Sequence, residues 1–401
     1  MSPARALLLT PVMPASGGNG LAMRAGLLLD GLARAFDVDV LVVPVFGRSG
    51  APPEFVARRA RRIEELELDP APDPAAEMIE RLRTPAGRVR AAALHPLPSL
   101  CVAAGKAAAS AVADRCDGAA VVVALRVYLA PFLDALFDRA QRPRVIIDID
   151  EHESATRVAL GQPVEAERFA RLERHYLPLA DHVFSCAPAD VQRLREWLGP
   201  SSVSGIPNAI RPPARTVVAP RDGPLLFCGN LSYMPNVEAA RWLCERVLPR
   251  LPGVHAAIVG RDPGAEVRGL ERDPRVVIAG DVPEVGSWYE RASLAVVPVL
   301  RGGGSRIKLI EAFAHRRAVV STTAGAAGLP WPVKGSPVVL ADAPETFAGA
   351  CRALLEDPER SDRLAAEGQR LVKANATVVV VAARIGRLVR AVCGSDAVAT
   401  T

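Results

Sequence analysis

The chain has 401 residues, half of them apolar, which is length and core material for two or three domains. Its 49 basic and 44 acidic residues leave a mild +5, and aromatics make up only 4%, so a polycation or a stacking platform for nucleic acid is excluded. Seven scattered cysteines without a CxxC exclude a disulfide framework and fit a reducing cytoplasm, and no apolar run approaches the ~18 residues of a spanning helix.

Along the chain, apolar runs alternate with helical spacing. Ala6–Thr10 reads as a first strand; Pro11 and Pro14 interrupt the apolar stretch too soon for a secretion signal. A Gly/Pro loop, Pro11–Gly20, leads into a predicted helix Leu21–Ala35 and a strand Val38–Val43. Within the loop, Gly17-Gly18-Asn19-Gly20 does not give GxGxxG, and Asp37 and Asp39 fall before or inside the next strand, against a dinucleotide fingerprint. Two readings stay open there: backbone amides near Gly17–Gly20 that contact donor phosphate or acceptor, or a plain tight turn. Glu54–Leu68, with Arg58, Arg59, Arg61 and Arg62, is predicted as a basic amphipathic helix. Its arginines make either a solvated face or a patch for anionic lipid heads or a phosphate-bearing acceptor.

Further strands are predicted at Ala119–Ala124, Val145–Ile149 and Val183–Ser185. Behind the second of these comes Asp148-Ile149-Asp150-Glu151-His152-Glu153. It admits three readings: a DxD pair for a divalent metal, a strand end whose His152 or Glu153 touches a sugar, or a solvated strand end. A Pro-rich stretch over 205–224 reads as a linker. A second alternating series follows, with strands at Leu225–Cys228, Ala256–Val259, Val276–Ile278, Leu294–Val297, Ala318–Ser321 and Pro337–Leu340. Helices fit at Val237–Leu248, Ile307–His315, Pro344–Glu356 and finally Val378–Val392. Such alternation implies parallel sheets covered by helices.

The strongest chemistry lies in Arg301-Gly302-Gly303-Gly304-Ser305-Arg306-Ile307-Lys308-Leu309-Ile310-Glu311-Ala312-Phe313-Ala314. Glycines after a strand and before a helix free backbone N–H groups to approach an anion, and the helix N-terminus adds positive potential. Arg306 and Lys308 bring full charges to the same end, and Lys308 is one of only four lysines in an arginine-rich chain. Glu311, three residues past Lys308 on the same side of the helix, is placed for a sugar diol.

This segment resembles the nucleotide-sugar site of GT-B glycosyltransferases of the retaining group 1 family, glycosyltransferase family 4, in its branch with a GGG(S/T)RxK loop. Leu309–Ala314, Val319–Thr322 and Ala324–Leu329 follow the family pattern, as do Phe227-Cys228-Gly229-Asn230-Leu231 with Pro235-Asn236, Ile206-Pro207-Asn208, and Pro14–Gly20 with Arg24. Many members carry a Glu eight residues before the "EA" helix Glu; here that position is Gly303.

The resemblance implies an α/β fold of two Rossmann-like lobes with parallel sheets facing across a cleft. Residues 1–212 would form the acceptor lobe and 213–377 the nucleotide-sugar lobe, with 378–401 a helix and tail packing back on the first. It implies transfer of a sugar from a nucleoside-diphosphate sugar, such as a UDP- or GDP-sugar, to a glycan, lipid-linked or small-molecule acceptor with retention. The catalytic set implied is Arg306, Lys308 and His152. Donor binding falls to Gly302, Gly303, Gly304, Ser305, Glu311, Gly229, Asn230 and Gly18, and the acceptor side to Asn19 and Glu153. No cofactor, metal or nucleic-acid partner is expected; the location is the cytoplasm, with peripheral contact at the inner membrane face allowed. The alternatives are a non-catalytic nucleotide- or glycan-binding paralogue, for which Gly303 speaks, and a nucleotide-sugar epimerase of similar shape.

Overall fold

A computed structural model describes residues 3–68, 97–101, 103–282, 284–302 and 307–394. The chain divides into two compact units: Met1–Ile206 with Val381–Thr401, and Pro207–Val380.

The first unit is built on a seven-stranded sheet of β1 (Arg5–Thr10), β2 (Asp37–Val42), β3 (Ala60–Glu65), β4 (Val121–Leu125), β5 (Arg144–Asp148), β6 (His182–Ser185) and β7 (Val203–Gly205). The spatial order is β3-β2-β1-β4-β5-β6-β7, and every pairing is parallel. Central strands are buried on both faces, all five residues of β4 among them, which is why they read as unbroken apolar runs. The second unit repeats the plan with six strands: β8 (Leu225–Cys228), β9 (Ala256–Gly260), β10 (Val276–Gly280), β11 (Leu294–Val297), β12 (Val319–Ser321) and β13 (Val338–Leu340). Their order is β10-β9-β8-β11-β12-β13, again parallel throughout. Both units are therefore Rossmann-like, as the alternation predicts.

In each sheet the order reverses between two neighbours, β1 with β4 and β8 with β11. The loops leaving such strands diverge and open a crevice at the carboxyl edge. The loops that leave β1 and β11 therefore both start at a reversal point.

Two local expectations are corrected. Glu54–Leu68 is not one basic helix but a single turn, Glu54–Ala57, followed by the edge strand β3. Its arginines are spent in ion pairs: Arg58 with Glu54, Arg59 with Asp30, Arg61 with Asp39 and Arg62 with Glu64. A half-exposed, charge-bearing edge strand has no apolar run to announce it. The helix expected at Val237–Leu248 begins earlier, at Met234, with Pro235 in its first turn, and passes into a wider turn over Leu243–Val247. The short strand β7 was not foreseen.

The helix Val378–Val392 lays Ile385 against Gly31 of the helix Gly20–Leu32; a β-carbon on Gly31 would meet Ile385 Cβ at 2.6 Å. In the second unit, Gly368 of the helix Pro358–Asn375 is pressed onto the buried ring of Phe313, where a β-carbon would lie 2.0 Å from a ring atom. Overpacking of this severity costs about 3 kcal/mol, against a gain of about 1 kcal/mol in helix propensity from Gly to Ala. Gly368→Ala is expected to lose about 2 kcal/mol of unfolding free energy on balance, read from urea denaturation. A neutral or stabilising result would show that Phe313 has room to move.

Candidate functional site

The second unit's candidate site starts at the end of β8. Gly229 follows the strand, and a β-carbon there would lie 2.8 Å from Asn236 Nδ2 and 3.1 Å from Lys308 Nζ. Only glycine leaves space for both. Gly260, at the end of β9, is tighter still, since a β-carbon would lie 1.6 Å from the Gly229 carbonyl oxygen. The Asn230 side chain shapes the turn: its Oδ1 accepts from Ser232 N at 2.9 Å and Ser232 Oγ at 2.8 Å. Its carbonyl accepts from Asn236 Nδ2 at 2.8 Å. Asn236 in turn accepts from Lys308 Nζ at 2.6 Å, and that ammonium lies 4.5 Å from the centre of the Phe227 ring. Lys308 is thus aimed by two residues of the β8 region while standing in the first turn of the helix Ile307–Ala314.

The glycine loop begins with Arg301, whose guanidinium pairs with Glu238 and holds that carboxyl below its usual value. Gly302 follows at φ +114, a conformation open to glycine. Gly303, Gly304, Ser305 and Arg306 lie outside the described residues. Beyond them Glu311 is half-buried; burial pushes its carboxyl up to about 7, against the pull of Lys308. The structure thus brings Gly229, Asn230, Lys308 and Glu311 to the carboxyl edge at the β8/β11 reversal. One residue there was not singled out from the sequence, Tyr289 in the helix Gly286–Arg291, and nothing in its spacing marks it; Phe227, beneath the lysine, belongs to the Phe227–Leu231 motif but had no role assigned.

In the first unit, Gly18 stands at φ +91, and Asn19 caps the helix Gly20–Leu32, its Oδ1 accepting from Leu21 N at 2.8 Å. The loop folds back on that helix, so that a β-carbon on Gly26 would lie 2.1 Å from the Ala15 carbonyl. At the end of β5, Asp148 is fully buried and pairs with equally buried Arg24 at 2.8 Å. Arg24 also donates to the Ile206 carbonyl at 2.7 Å. Asp150 N donates to Asp148 Oδ1 at 2.8 Å, and the Asp150 carboxylate pairs with Arg126 at 3.2 Å. The two acids of the DxD are therefore turned to two different arginines. Among the described residues no group of three or more His, Cys, Asp or Glu is placed to hold a metal ion.

Arg126 sits directly after β4 at φ +78, rare for an arginine, and Asp150 after β5 at φ +56. The Arg126 guanidinium also reaches Glu151 at 3.0 Å and Glu153 at 3.1 Å. Glu153 is buried and shared with Arg157 at 3.2 Å; burial raises its carboxyl even against Arg126. His152 pairs through Nε2 with Glu173 Oε2 at 3.0 Å. Burial disfavours its charge, but Glu173 outweighs burial and raises the imidazole above its ordinary value. His152 and Glu153 therefore lie at the same carboxyl edge as Gly18 and Asn19, each held by a named partner. Arg126 is the residue missed here. An arginine directly behind the run Val121–Leu125 was the signal.

Among the described residues no helix is long and apolar enough to cross a membrane. All seven cysteines are free, and six are buried.

Residues 223–357 match the family model described as glycosyl transferases group 1. The lipopolysaccharide core biosynthesis mannosyltransferase LpcC of Rhizobium leguminosarum bv. viciae is 31% identical over 133 residues, 33% of this chain and 38% of its own length. The match therefore spans well under half of that curated relative. Among solved structures, sucrose-phosphate synthase of Thermosynechococcus elongatus is similar over 98% of this chain and 100% of that one, with a TM-score of 0.72 and 19% identity. Anabaena Alr3699/HepE, in complex with UDP and glucose, is similar over 96% and 99%, with a TM-score of 0.62 and 14% identity. At these identities the likeness is one of fold. The chain has the GT-B fold, and its second unit carries a domain that matches the glycosyl transferases group 1 family.

Proposed function

We propose that the protein is a retaining glycosyltransferase of family 4 that takes a nucleoside-diphosphate sugar as donor and a glycan, lipid-linked or small-molecule compound as acceptor. The observation that carries this is the convergence of Lys308, Asn236, Gly229 and Glu311 at the β8/β11 reversal inside the stretch matching the family model. HepE, of the same fold, is described with UDP and glucose bound, which supports a nucleotide-sugar donor.

In this reading the second unit holds the donor. Lys308 and the helix N-terminus face the diphosphate, the sequence motif assigns Arg306 and the Gly302–Gly304 amides to the same group, and Glu311 accepts the ribose hydroxyls. As the glycosidic bond lengthens, the departing diphosphate gains charge, and these fixed cations and dipoles stabilise it more than they stabilise the ground state. Cationic side chains supply the counter-charge. The first unit takes the acceptor, with His152, Glu153 and Asn19 at the edge that receives it. A location in the cytoplasm, with contact at the inner membrane face, suits a lipid-linked acceptor.

The test is a binding and slow-hydrolysis screen of UDP-, GDP- and ADP-sugars. One of them is expected to bind and to release its nucleoside diphosphate slowly without acceptor. Failure of all three to bind rejects the donor assignment. Conversion of the donor to an isomer without acceptor would instead favour the epimerase. Binding without turnover on any glycan or polyprenyl extract would favour the non-catalytic paralogue that Gly303 suggests.

A further inference from the structure

A buried acid backs the carboxyl edge of the first unit, and the acceptor assignment does not itself use it. Glu173 lies in the last turn of the helix Pro163–Tyr176, with its side chain only 3% exposed. The helix dipole opposes a carboxylate there, and burial adds a desolvation cost, so the acid persists through its partners. They come from the start of the helix Glu153–Ala159. Ser154 N donates to Glu173 Oε1 at 3.1 Å, Ser154 Oγ donates to Oε2, and His152 Nε2 pairs with Oε2 at 3.0 Å. The Ser154 N–H is one of the first-turn groups that a helix leaves without an internal partner, so Glu173 caps this helix from its neighbour. Capping accounts for the serine bonds and leaves the histidine contact over. The His152 Nδ1 is buried and has no hydrogen-bond partner among the described residues. With Nδ1 closed off and Nε2 held by a carboxylate, the ring has no free lone pair to act as a base. What it offers at the edge is positive charge.

We propose that Glu173 is a positioning residue for the acceptor edge: its buried carboxylate, steadied by Ser154, fixes the His152 ring and holds it there as an imidazolium. The proposal rests on the reading that the first unit takes the acceptor. Buried Glu173 does not touch the acceptor; it acts through His152. The charged groups that face the ring are Glu173 from Pro163–Tyr176, and Asp190 and Arg193 from the helix Pro188–Leu198. Asp190 accepts from His152 N at 3.3 Å and pairs with Arg193 at 3.6 Å, so these two add little net charge. Glu151 and Glu153, beside His152 in the chain, are turned to Arg126. Burial and the start of a helix both disfavour charge on the ring, and Glu173 outweighs them. A fixed cation at that edge orients an acceptor oxygen and takes no proton from it. Transfer therefore falls as pH rises through the His152 value, and loss of the Glu173 charge lowers that value and starts the fall at lower pH.

The experiment compares the full chain with Glu173→Gln, which keeps an acceptor for Ser154 N but removes the charge, and with Ser154→Ala, which keeps the charge but removes the hydroxyl. Imidazole NMR, with the His152 signal identified by its loss in His152→Gln, gives the titration midpoint. It is expected to drop by about one unit or more in Glu173→Gln and to stay in place in Ser154→Ala. Transfer to a polyprenyl extract, from whichever of the UDP-, GDP- and ADP-sugars binds, gives the second readout. Glu173→Gln should be about tenfold slower above both midpoints and should converge with wild type below both. Its affinity for the nucleotide sugar should be unchanged. If Glu173→Gln does not fold, Glu173→Asp, whose carboxylate is drawn back from the ring, takes its place with the same direction in both readouts. An unmoved midpoint, or an equal loss of rate at every pH, overturns the role of Glu173 and leaves the donor assignment standing. A wild-type chain that transfers nothing to the extract, or a His152→Gln chain that transfers as wild type does, overturns the acceptor-edge reading and the proposal together.

Discussion

Lys308→Ala is expected to weaken nucleoside-diphosphate binding by about a hundredfold and to lower donor turnover by at least as much, since deletion of one preorganised charge stabiliser costs about 3 kcal/mol. The figure belongs near the upper end for a charged hydrogen bond because this ammonium is already aimed. Asn236 holds it at 2.6 Å, and the Phe227 ring lies 4.5 Å beneath. Little side-chain entropy then remains to be lost when the diphosphate arrives. Lys308→Arg should recover part of the affinity, as charge is kept but the fit against Asn236 and the Gly229 backbone is lost. Lys334→Ala, in an exposed loop of the same unit, is the control and should leave binding unchanged. A Lys308→Ala protein that stays folded by circular dichroism and binds its nucleotide within about threefold of wild type would exclude Lys308 from the diphosphate site.

Where the sequence was informative and where it was silent follow from different physics. Strands such as β4 and β5 are covered on both faces, so they read as short apolar runs with loops between, and the parallel plan follows from them. At the edge of the same sheet, β3 carries four charged residues in six, in pairs on either side of Ile63, and four arginines at near-helical spacing look like a helix face until their acids are located. Two of those acids, Glu54 and Glu64, are local, but Asp30 and Asp39, the partners of Arg59 and Arg61, belong to other elements, so no local pattern reveals them. The candidate site divides the same way. Gly229, Asn230, Lys308 and Glu311 sit in contiguous motifs, whereas Tyr289, whose hydroxyl donates to the Lys308 carbonyl at 3.4 Å, comes from the separate helix Gly286–Arg291. Arg126 is legible by its place directly behind Val121–Leu125, but its left-handed backbone is not, since that conformation is set by the bonds that hold it, including its N–H to the Asp148 carbonyl at 2.6 Å.

Removal of Arg24 should be the most destabilising single change in the first unit: Arg24→Met is expected to cost about 3–5 kcal/mol, the range for breaking a buried ion pair from one side. Both partners are fully buried, and the pair is made at 3.1 Å from Nε and 2.8 Å from Nη2 to the same carboxylate oxygen. The second carboxylate oxygen accepts from Asp150 N, and Arg24 Nη1 donates to the Ile206 carbonyl, so the pair ties the helix Gly20–Leu32 to the ends of β5 and β7. Without Arg24, burial acts on Asp148 with no counter-charge, and the carboxyl, already raised by burial, must protonate or draw in water. A unit of this size should lose about 10 °C in Tm. Replacement of both partners by apolar residues of like volume should recover much of the loss, because two desolvated charges disappear together. The same anchor sets the Gly17–Gly20 loop that precedes the helix. A double variant that regains stability yet loses turnover would therefore assign the pair to loop placement at the acceptor edge, whereas a single variant that loses under about 1 kcal/mol would show that water reaches Asp148.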